Sequence, residues 1–268
     1  GRAYIATAGN RERAATDVAG FVAATYLRGV PWISVPTSLT GMVDAGIGGK
    51  TAVDLPQAKN AVGAFHQPEW VVCDPATVET LPLREWSAGF AEVVKTALLA
   101  GGRLWELVRA WEPGRGSPEE RLELIRRAAA YKARIVAADP NERGERAVLN
   151  LGHSVGHGIE VATGYKAFSH GEAVAIGLLS ALWLSSQCTG LDASVEEEVR
   201  ELLRRHELPV AARNVSPAAV IDAMAHDKKA REGRVRFVLL EAVGKPVWGI
   251  DPGDELVEKA VARAVARR

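Results

Sequence analysis

The chain has 268 residues, 47% hydrophobic and 25% charged, with Lys plus Arg and Asp plus Glu balanced at 33 each. That is a globular composition sized for one large domain or two ordinary ones, and a zero net charge excludes a general attraction to nucleic acid or an anionic membrane. Cys73 and Cys188 form no CxxC pair, no apolar run is long enough to cross a bilayer, and the Gly1-Arg2-Ala3-Tyr4 start is not a signal peptide; a disulfide scaffold and a thiolate zinc site are excluded, and a cytoplasmic setting is expected.

In chain order, Tyr4-Ile5-Ala6-Thr7-Ala8 predicts a short buried strand. A helix follows over 17–27 with Asp17 as its N-cap, ended by Arg28-Gly29. Trp32-Ile33-Ser34-Val35 predicts the next strand, stopped by Pro36, and Trp70-Val71-Val72-Cys73 another, stopped by Asp74-Pro75. Strands alternating with helices imply a parallel sheet. From about Leu81 helical patterns dominate, over 84–100, 118–138, 150–162, 170–186, 194–206 and from 254 to the end. Only 235–240 and 246–250 read as strands there, as one hairpin. The expected division is an α/β part over 1–80 and a mainly helical part over 81–268.

Three features offer donors to a divalent metal. His153 and His157, in Gly152-His153-Ser154-Val155-Gly156-His157, are four apart and share a helix face. His170 stands at the start of a helix, where the macrodipole disfavours imidazolium and favours the neutral, ligating ring. Glu92 interrupts an otherwise apolar helix face. Two imidazoles and one carboxylate make a catalytic type of site with open positions. The bare HxxxH is equally read as two ordinary helix histidines, because it lacks the general base of HExxH. A lone Glu92 also fits a surface position.

Val43-Asp44-Ala45-Gly46-Ile47-Gly48-Gly49-Lys50-Thr51 ends like a P-loop, but the pattern needs glycine where Asp44 stands, which excludes that nucleotide site. A glycine-rich turn still brings backbone N–H groups and lysine to an anion. Lys59-Asn60 follows nine residues on. The plain alternative is a glycine-rich connection with solvated lysines.

Several further segments stand in one order: Pro36-Thr37-Ser38-Leu39, Gly63-Ala64-Phe65-His66-Gln67-Pro68, Thr80-Leu81-Pro82, Ala91-Glu92-Val93-Val94-Lys95, Leu149-Asn150-Leu151-Gly152-His153, His170-Gly171-Glu172-Ala173-Val174 and Asp227-Lys228-Lys229. With the two motifs above, they resemble the dehydroquinate synthase family of the sugar phosphate cyclases from Ala15 onward. The resemblance implies a Rossmann-like NAD-binding α/β domain, a helical metal-binding domain and an active site in the cleft between them. It implies Glu92, His153 and His170 as ligands of zinc (or cobalt), with His157 beside them and outside the ligand set. It places Asp17, Thr37, Ser38, Thr77 and Thr80 along an NAD site, and Asp44, Lys50, Lys59 and Asn60 against cofactor and substrate. Lys95, Lys132, Arg146, Asn150 and Lys228 match positions facing the substrate's hydroxyls, carboxylate and phosphate. Arg28 resembles an arginine that reaches a phosphate across a homodimer interface.

The activity implied is conversion of a seven-carbon sugar acid phosphate, 3-deoxy-D-arabino-heptulosonate 7-phosphate, to 3-dehydroquinate and phosphate, in the shikimate pathway of aromatic amino acid biosynthesis. The substrate loses hydride to NAD, eliminates phosphate, regains the hydride, opens and closes by an intramolecular aldol step, so NAD is not consumed. One departure stands out. The family opens with an additional α/β segment and carries a Gly-Gly-Gly loop just before the position of Asp17, where this chain has Arg11-Glu12-Arg13; an omitted segment is expected, the alternative being a damaged cofactor site. Alternatives are a sibling cyclase of the 2-deoxy-scyllo-inosose or valiolone type, an NAD- and metal-dependent polyol dehydrogenase, or a non-catalytic remnant. The carboxylate-binding cations Lys132, Arg146 and Lys228 weigh against the first, Glu92 in place of Asp against the second, and the intact ligand set against the third.

Overall fold

The computed structural model describes residues 6–7, 12–55, 58–230 and 235–265, with side chains described for 15–55, 61–225 and 235–265. The chain packs as two units, one made of residues 1–90 and 115–146, the other of 91–114 and 147–268. The expected boundary near Leu81 divides the chain by type of secondary structure. Packing divides it differently, because a long helix within 115–146 belongs with the N-terminal residues.

In the first unit, β1 (Ala6–Thr7), β2 (Ile33–Ser34) and β5 (Trp70–Val71) form a parallel sheet in the order β1-β2-β5. All three strands fall within the runs expected from the sequence, and the α/β class is the one observed. The helix expected over 17–27 is α1, Glu12–Thr25, followed by a 3-10 turn at Tyr26–Arg28. Asp17 therefore lies inside α1 and does not cap it; Ala14 and Ala15, strong helix formers, carry the helix further back. Gly20 on α1 is where the helix meets the hairpin: an added Cβ would come within 2.4 Å of Thr51 Cγ2.

That hairpin, β3 (Lys50–Leu55) with β4 (Ala58–Phe65), is antiparallel and was not expected. The Gly-rich segment turns into it through Gly48 and Gly49, at φ +109° and +62°, after a π-helical turn at Gly41–Ala45. Glycine spares both turn positions the steric cost of left-handed backbone. Helix α4 (Pro118–Ala138) starts on a capping box between Ser117 and Glu120, with proline in its first turn.

Helix α2 (Leu83–Ala100) passes into the second unit at Ala91. There it is joined by α3 (Gly102–Arg109), α5 (His153–Ala162), α6 (His170–Cys188), α7 (Ser194–Arg205), α8 (Pro217–Ala230) and α9 (Asp254–Ala264). Helices α3 and α8 were not expected. Strands β6 (Phe237–Ala242) and β7 (Lys245–Ile250) form the expected antiparallel hairpin. Almost every residue of α6 from Gly171 to Ser185 is buried, as suits a helix packed by α5, α7, α9 and β6. Its core includes Val155, Ile159, Ala173, Ile176, Leu184, Val220, Leu239 and Val261. No helix among the described residues is long and apolar enough to cross a membrane.

Candidate functional sites: one polar cluster in each unit

The helix expected from Asn150 starts at His153 instead. Asn150 closes a 3-10 segment, Glu145–Asn150, and Gly152 adopts φ +77°, which ends one helical run and opens the next. The turn aims His153 inward, 8% exposed, from the first position of α5. Ser169 caps α6 in a box with Glu172 and so fixes His170 at that helix's first position.

Five of the expected residues come together here. Glu92 is fully buried on α2, and its Oε1 lies 3.1 Å from His170 Nε2 and 3.8 Å from His153 Nε2. Its Oε2 pairs with Lys95 Nζ at 2.5 Å, one helical turn on. One ring nitrogen from each of His153, His157 and His170 lies within 4.8 Å of the other two. His153 Nδ1 faces the Leu151 carbonyl oxygen at 3.1 Å, so this nitrogen carries the proton and Nε2 presents its lone pair toward Glu92. Burial, and then the Lys95 ammonium, hold the His153 pKa well below the usual imidazole value. The ring is neutral, the form that binds a metal. His157 differs: its side chain is 47% exposed, and its Nε2 is 3.9 Å from Glu160 Oε2.

Sequence reasoning missed Glu160. It is 7% exposed and its Oε2 lies 3.2 Å from His170 Nδ1. Its signal was present: residues 153, 157 and 160 are spaced four and three apart, one face of α5.

In the first unit the structure joins Asp44, Lys50, Lys132 and Arg146 into a second cluster. Lys132 Nζ donates to Asp44 Oδ1 at 2.6 Å and to the Asp44 carbonyl oxygen at 2.5 Å. Arg146, 2% exposed, donates from Nη2 to Gly48 O at 2.8 Å and from Nη1 to Pro140 O at 2.7 Å. A Cβ on Gly48 would come within 2.4 Å of that Nη2, so glycine gives the arginine its place against the turn. Lys50 is half-exposed and pairs with Glu142, an acid the sequence did not single out.

The other expected residues are placed by the elements that carry them. Asp17 is on α1. Thr37 and Ser38 follow β2, with Ser38 Oγ accepting from Gly41 N at 3.2 Å. Thr77 and Thr80 sit in the 3-10 segment Pro75–Thr80 after β5, where Thr77 Oγ1 donates to Asp74 O at 2.8 Å and Thr80 Oγ1 to Thr77 O at 3.4 Å. Arg28 is exposed in the turn after α1 at φ +67°. The side chains of Lys59, Asn60 and Lys228 lie outside the described residues.

Comparison with known proteins gives a family. The model for the N-terminal part of 3-dehydroquinate synthase matches residues 5–88, and that for the C-terminal part matches residues 89–230. The 3-dehydroquinate synthase of Latilactobacillus sakei subsp. sakei is 46% identical over 231 residues, 86% of this chain and 63% of that relative. That of Leptospira interrogans serogroup Icterohaemorrhagiae serovar copenhageni is 42% identical over 247 residues, 91% of this chain and 68% of that relative. The chain thus spans about two thirds of the length of these relatives, 63% and 68%. Among solved structures, a 2-epi-5-epi-valiolone synthase from Streptomyces hygroscopicus subsp. jinggangensis, with NAD+ and Zn2+ bound, matches with a TM-score of 0.85 at 29% identity, covering 97% of this chain and 72% of its own. A 2-deoxy-scyllo-inosose synthase complexed with carbaglucose-6-phosphate, NAD+ and Co2+ also reaches 0.85, at 25% identity, covering 98% and 74%. A probable glycerol dehydrogenase from Sinorhizobium meliloti, at 18% identity and a TM-score of 0.61 over 97% of this chain and 75% of its own, shares the fold alone. With adjoining family matches from residue 5 to residue 230 and relatives above 40% identity, the chain belongs to the 3-dehydroquinate synthase family.

Proposed function

We propose that this chain carries the 3-dehydroquinate synthase reaction, turning 3-deoxy-D-arabino-heptulosonate 7-phosphate into 3-dehydroquinate and phosphate, with NAD and a divalent metal, zinc or cobalt, as cofactors. The observation that supports it most is the grouping of buried Glu92, Lys95 and His153 with part-buried His170, within the residues that match the family's C-terminal part. The reading divides the labour along the sequence, with NAD held by 1–80 and metal and substrate by 81–268.

The donor set fits a metal. Glu92 Oε1 and the Nε2 atoms of His153 and His170 face one another, and nitrogen and oxygen donors of this kind suit zinc. The α/β part fits a dinucleotide: Thr37, Ser38, Thr77 and Thr80 follow the carboxyl ends of β2 and β5, where open α/β sheets bind such ligands. When bound, NAD supplies a reversible hydride acceptor and the metal supplies Lewis acidity toward adjacent substrate oxygens.

The chain's own side chains do the rest. Glu92, His153 and His170 hold the metal, and His157, half-exposed beside them, meets the substrate. Lys95 is held by Glu92 with its charge beside the site. Lys50, Lys132, Arg146, Asn150, Asn60 and Lys228 are assigned to the hydroxyls, carboxylate and phosphate. Arg146 suits the carboxylate because a guanidinium binds it in a bidentate fork, and its Nε is buried with no hydrogen-bond partner among the described residues. Asp17, Asp44, Lys50, Lys59 and the hydroxyls of Thr37, Ser38, Thr77 and Thr80 are assigned to NAD.

A homodimer is part of the same proposal. Tyr26 and Leu27, 54% and 75% exposed beside Arg28, leave an apolar edge on that turn, and Val18 and Val22 extend it along α1. The cytoplasmic setting rests on the free thiols Cys73 and Cys188.

The test is phosphate release from the seven-carbon acid while NADH absorbance is followed. Release without accumulating NADH is expected. Stoichiometric NADH would point to a polyol dehydrogenase, and preferred turnover of a carboxylate-free sugar phosphate would point to a sibling cyclase.

A further inference from the structure

His170 lies between two carboxylates. Its Nε2 is 3.1 Å from Glu92 Oε1, and its Nδ1 is 3.2 Å from Glu160 Oε2. The two acids come from different helices, Glu92 from α2 and Glu160 from α5, and both are more than nine-tenths buried. His153 is held in a related way but by a weaker acceptor, with Nδ1 against the neutral Leu151 carbonyl at 3.1 Å. An imidazole whose Nδ1–H donates to a carboxylate has its tautomer and ring plane fixed and its other nitrogen made more basic.

We propose that Glu160 is a positioning residue for His170: it holds the ring as the Nδ1–H tautomer, aims Nε2 at the space shared with Glu92 and His153, and strengthens its bond to a divalent cation. This rests on the metal reading above. Glu160 does not touch the cation or the substrate; it acts through the ring. Its place on α5 links the two histidine-bearing helices, because it follows His153 and His157 along one face and reaches the first residue of α6.

The experiment uses the whole chain in three variants, Glu160→Gln, Glu160→Ala and His170→Ala, each checked for folding by circular dichroism and thermal midpoint. Zinc affinity is read by competition with a chromophoric chelator, and the protonated ring nitrogen of His170 is read from imidazole nitrogen chemical shifts in the zinc-loaded protein. Glu160→Ala is expected to lose roughly 10- to 100-fold in zinc affinity. Glu160→Gln, which keeps size and hydrogen bonding but not charge, should lie between it and the parent protein. The loaded parent should show His170 as the Nδ1–H tautomer. Zinc affinity unchanged in Glu160→Ala but abolished in His170→Ala would overturn the proposal and leave the metal reading intact. Affinity unchanged in His170→Ala would overturn both. Zinc on Nδ1 with the proton on Nε2 in the loaded parent protein would overturn the proposal, and this can be read even if every variant fails to fold.

Discussion

Adding one methyl group at Gly177 tests whether the histidine cluster is set by the approach of two helix backbones. An ideal Cβ there would lie 1.9 Å from Gly152 O, 2.9 Å from Gly156 N and 3.0 Å from Gly152 C, all backbone atoms of α5 and its entry turn. Real Cβ atoms do not come within 3.0 Å, so α5 and α6 must separate by roughly 1.1 Å or bend. In an open helix interior Gly→Ala would stabilise by about 1 kcal/mol. Overpacking costs about 1–3 kcal/mol, and a collision with backbone, which has no rotamer to change, belongs at the upper end. The net expectation is a loss of about 1–2 kcal/mol, or a fall of roughly 2–8 °C in thermal midpoint for a chain of this size. The effect on the site should exceed the effect on stability. His153 follows Gly152 directly, whereas metal–ligand distances hold to about ±0.2 Å. Gly177→Ala should therefore lose zinc while still folded at room temperature, read by thermal denaturation alongside metal analysis. An unchanged or raised midpoint with full zinc would refute the reasoning.

Lys132→Met should cost roughly 2–4 kcal/mol in urea denaturation, somewhat below a fully buried pair, because the side chains of Lys132 and Asp44 are 9% and 19% exposed; Asp44→Asn in the same chain should recover part of it. For metal binding, Glu92, His153 and His170 should lie at about 2.0–2.2 Å from a bound zinc, and His157→Ala should keep it while His170→Ala does not; zinc retained by His170→Ala and lost by His157→Ala would reverse the assignment. Stability should also depend on pH through His206, whose pKa is held below its ordinary 6.5 chiefly by burial. The unfolded chain then takes the proton first, so this contribution is complete above about pH 6.5 and is lost as pH falls toward the folded-state value. His206→Gln should flatten the fall in urea midpoint between about pH 7 and pH 5.5, and an equally steep fall would exclude His206 as its source.

Elements with a long apolar period or a capping signal were legible in the sequence. Helix α4 is bounded by Ser117-Pro118 and Glu120, and α6 by Ser169 and Glu172, so local chemistry marks where each begins. The β3–β4 hairpin was not legible, because Lys50 to Phe65 lacks strict alternation and carries Pro56 and Gly63 within it. The boundary between units was hidden for another reason: α4 returns to the N-terminal part, and return is a property of packing rather than composition. Histidines and acids with an unusual spacing pointed to the cluster around Glu92. Glu160 and Glu142 escaped because an acid on a helix or in a loop is ordinarily solvated, and only tertiary contact shows that these two meet His170 and Lys50.

The glycines around α5 connect fold to site. This helix has 10 residues, too few to be stable alone in water, so its position is supplied by its neighbours. On one side Gly152 and Gly156 lie against α6, where added Cβ atoms would stand 2.8 Å from Leu178 N and 3.1 Å from Ala173 O. On another, Gly158 lies against α8, where a Cβ would stand 2.7 Å from Met224 Cγ and 3.0 Å from Val220 Cγ1. Contacts between backbones cannot be relaxed by rotamer changes, so they set the separation of α5 and α6 more rigidly than interleaved leucines would. His153 and His170 stand at the first positions of these two helices, and their spacing follows from that separation. The rings are therefore placed by helix packing, so a cation bound there would not have to spend binding energy on bringing the two helices together.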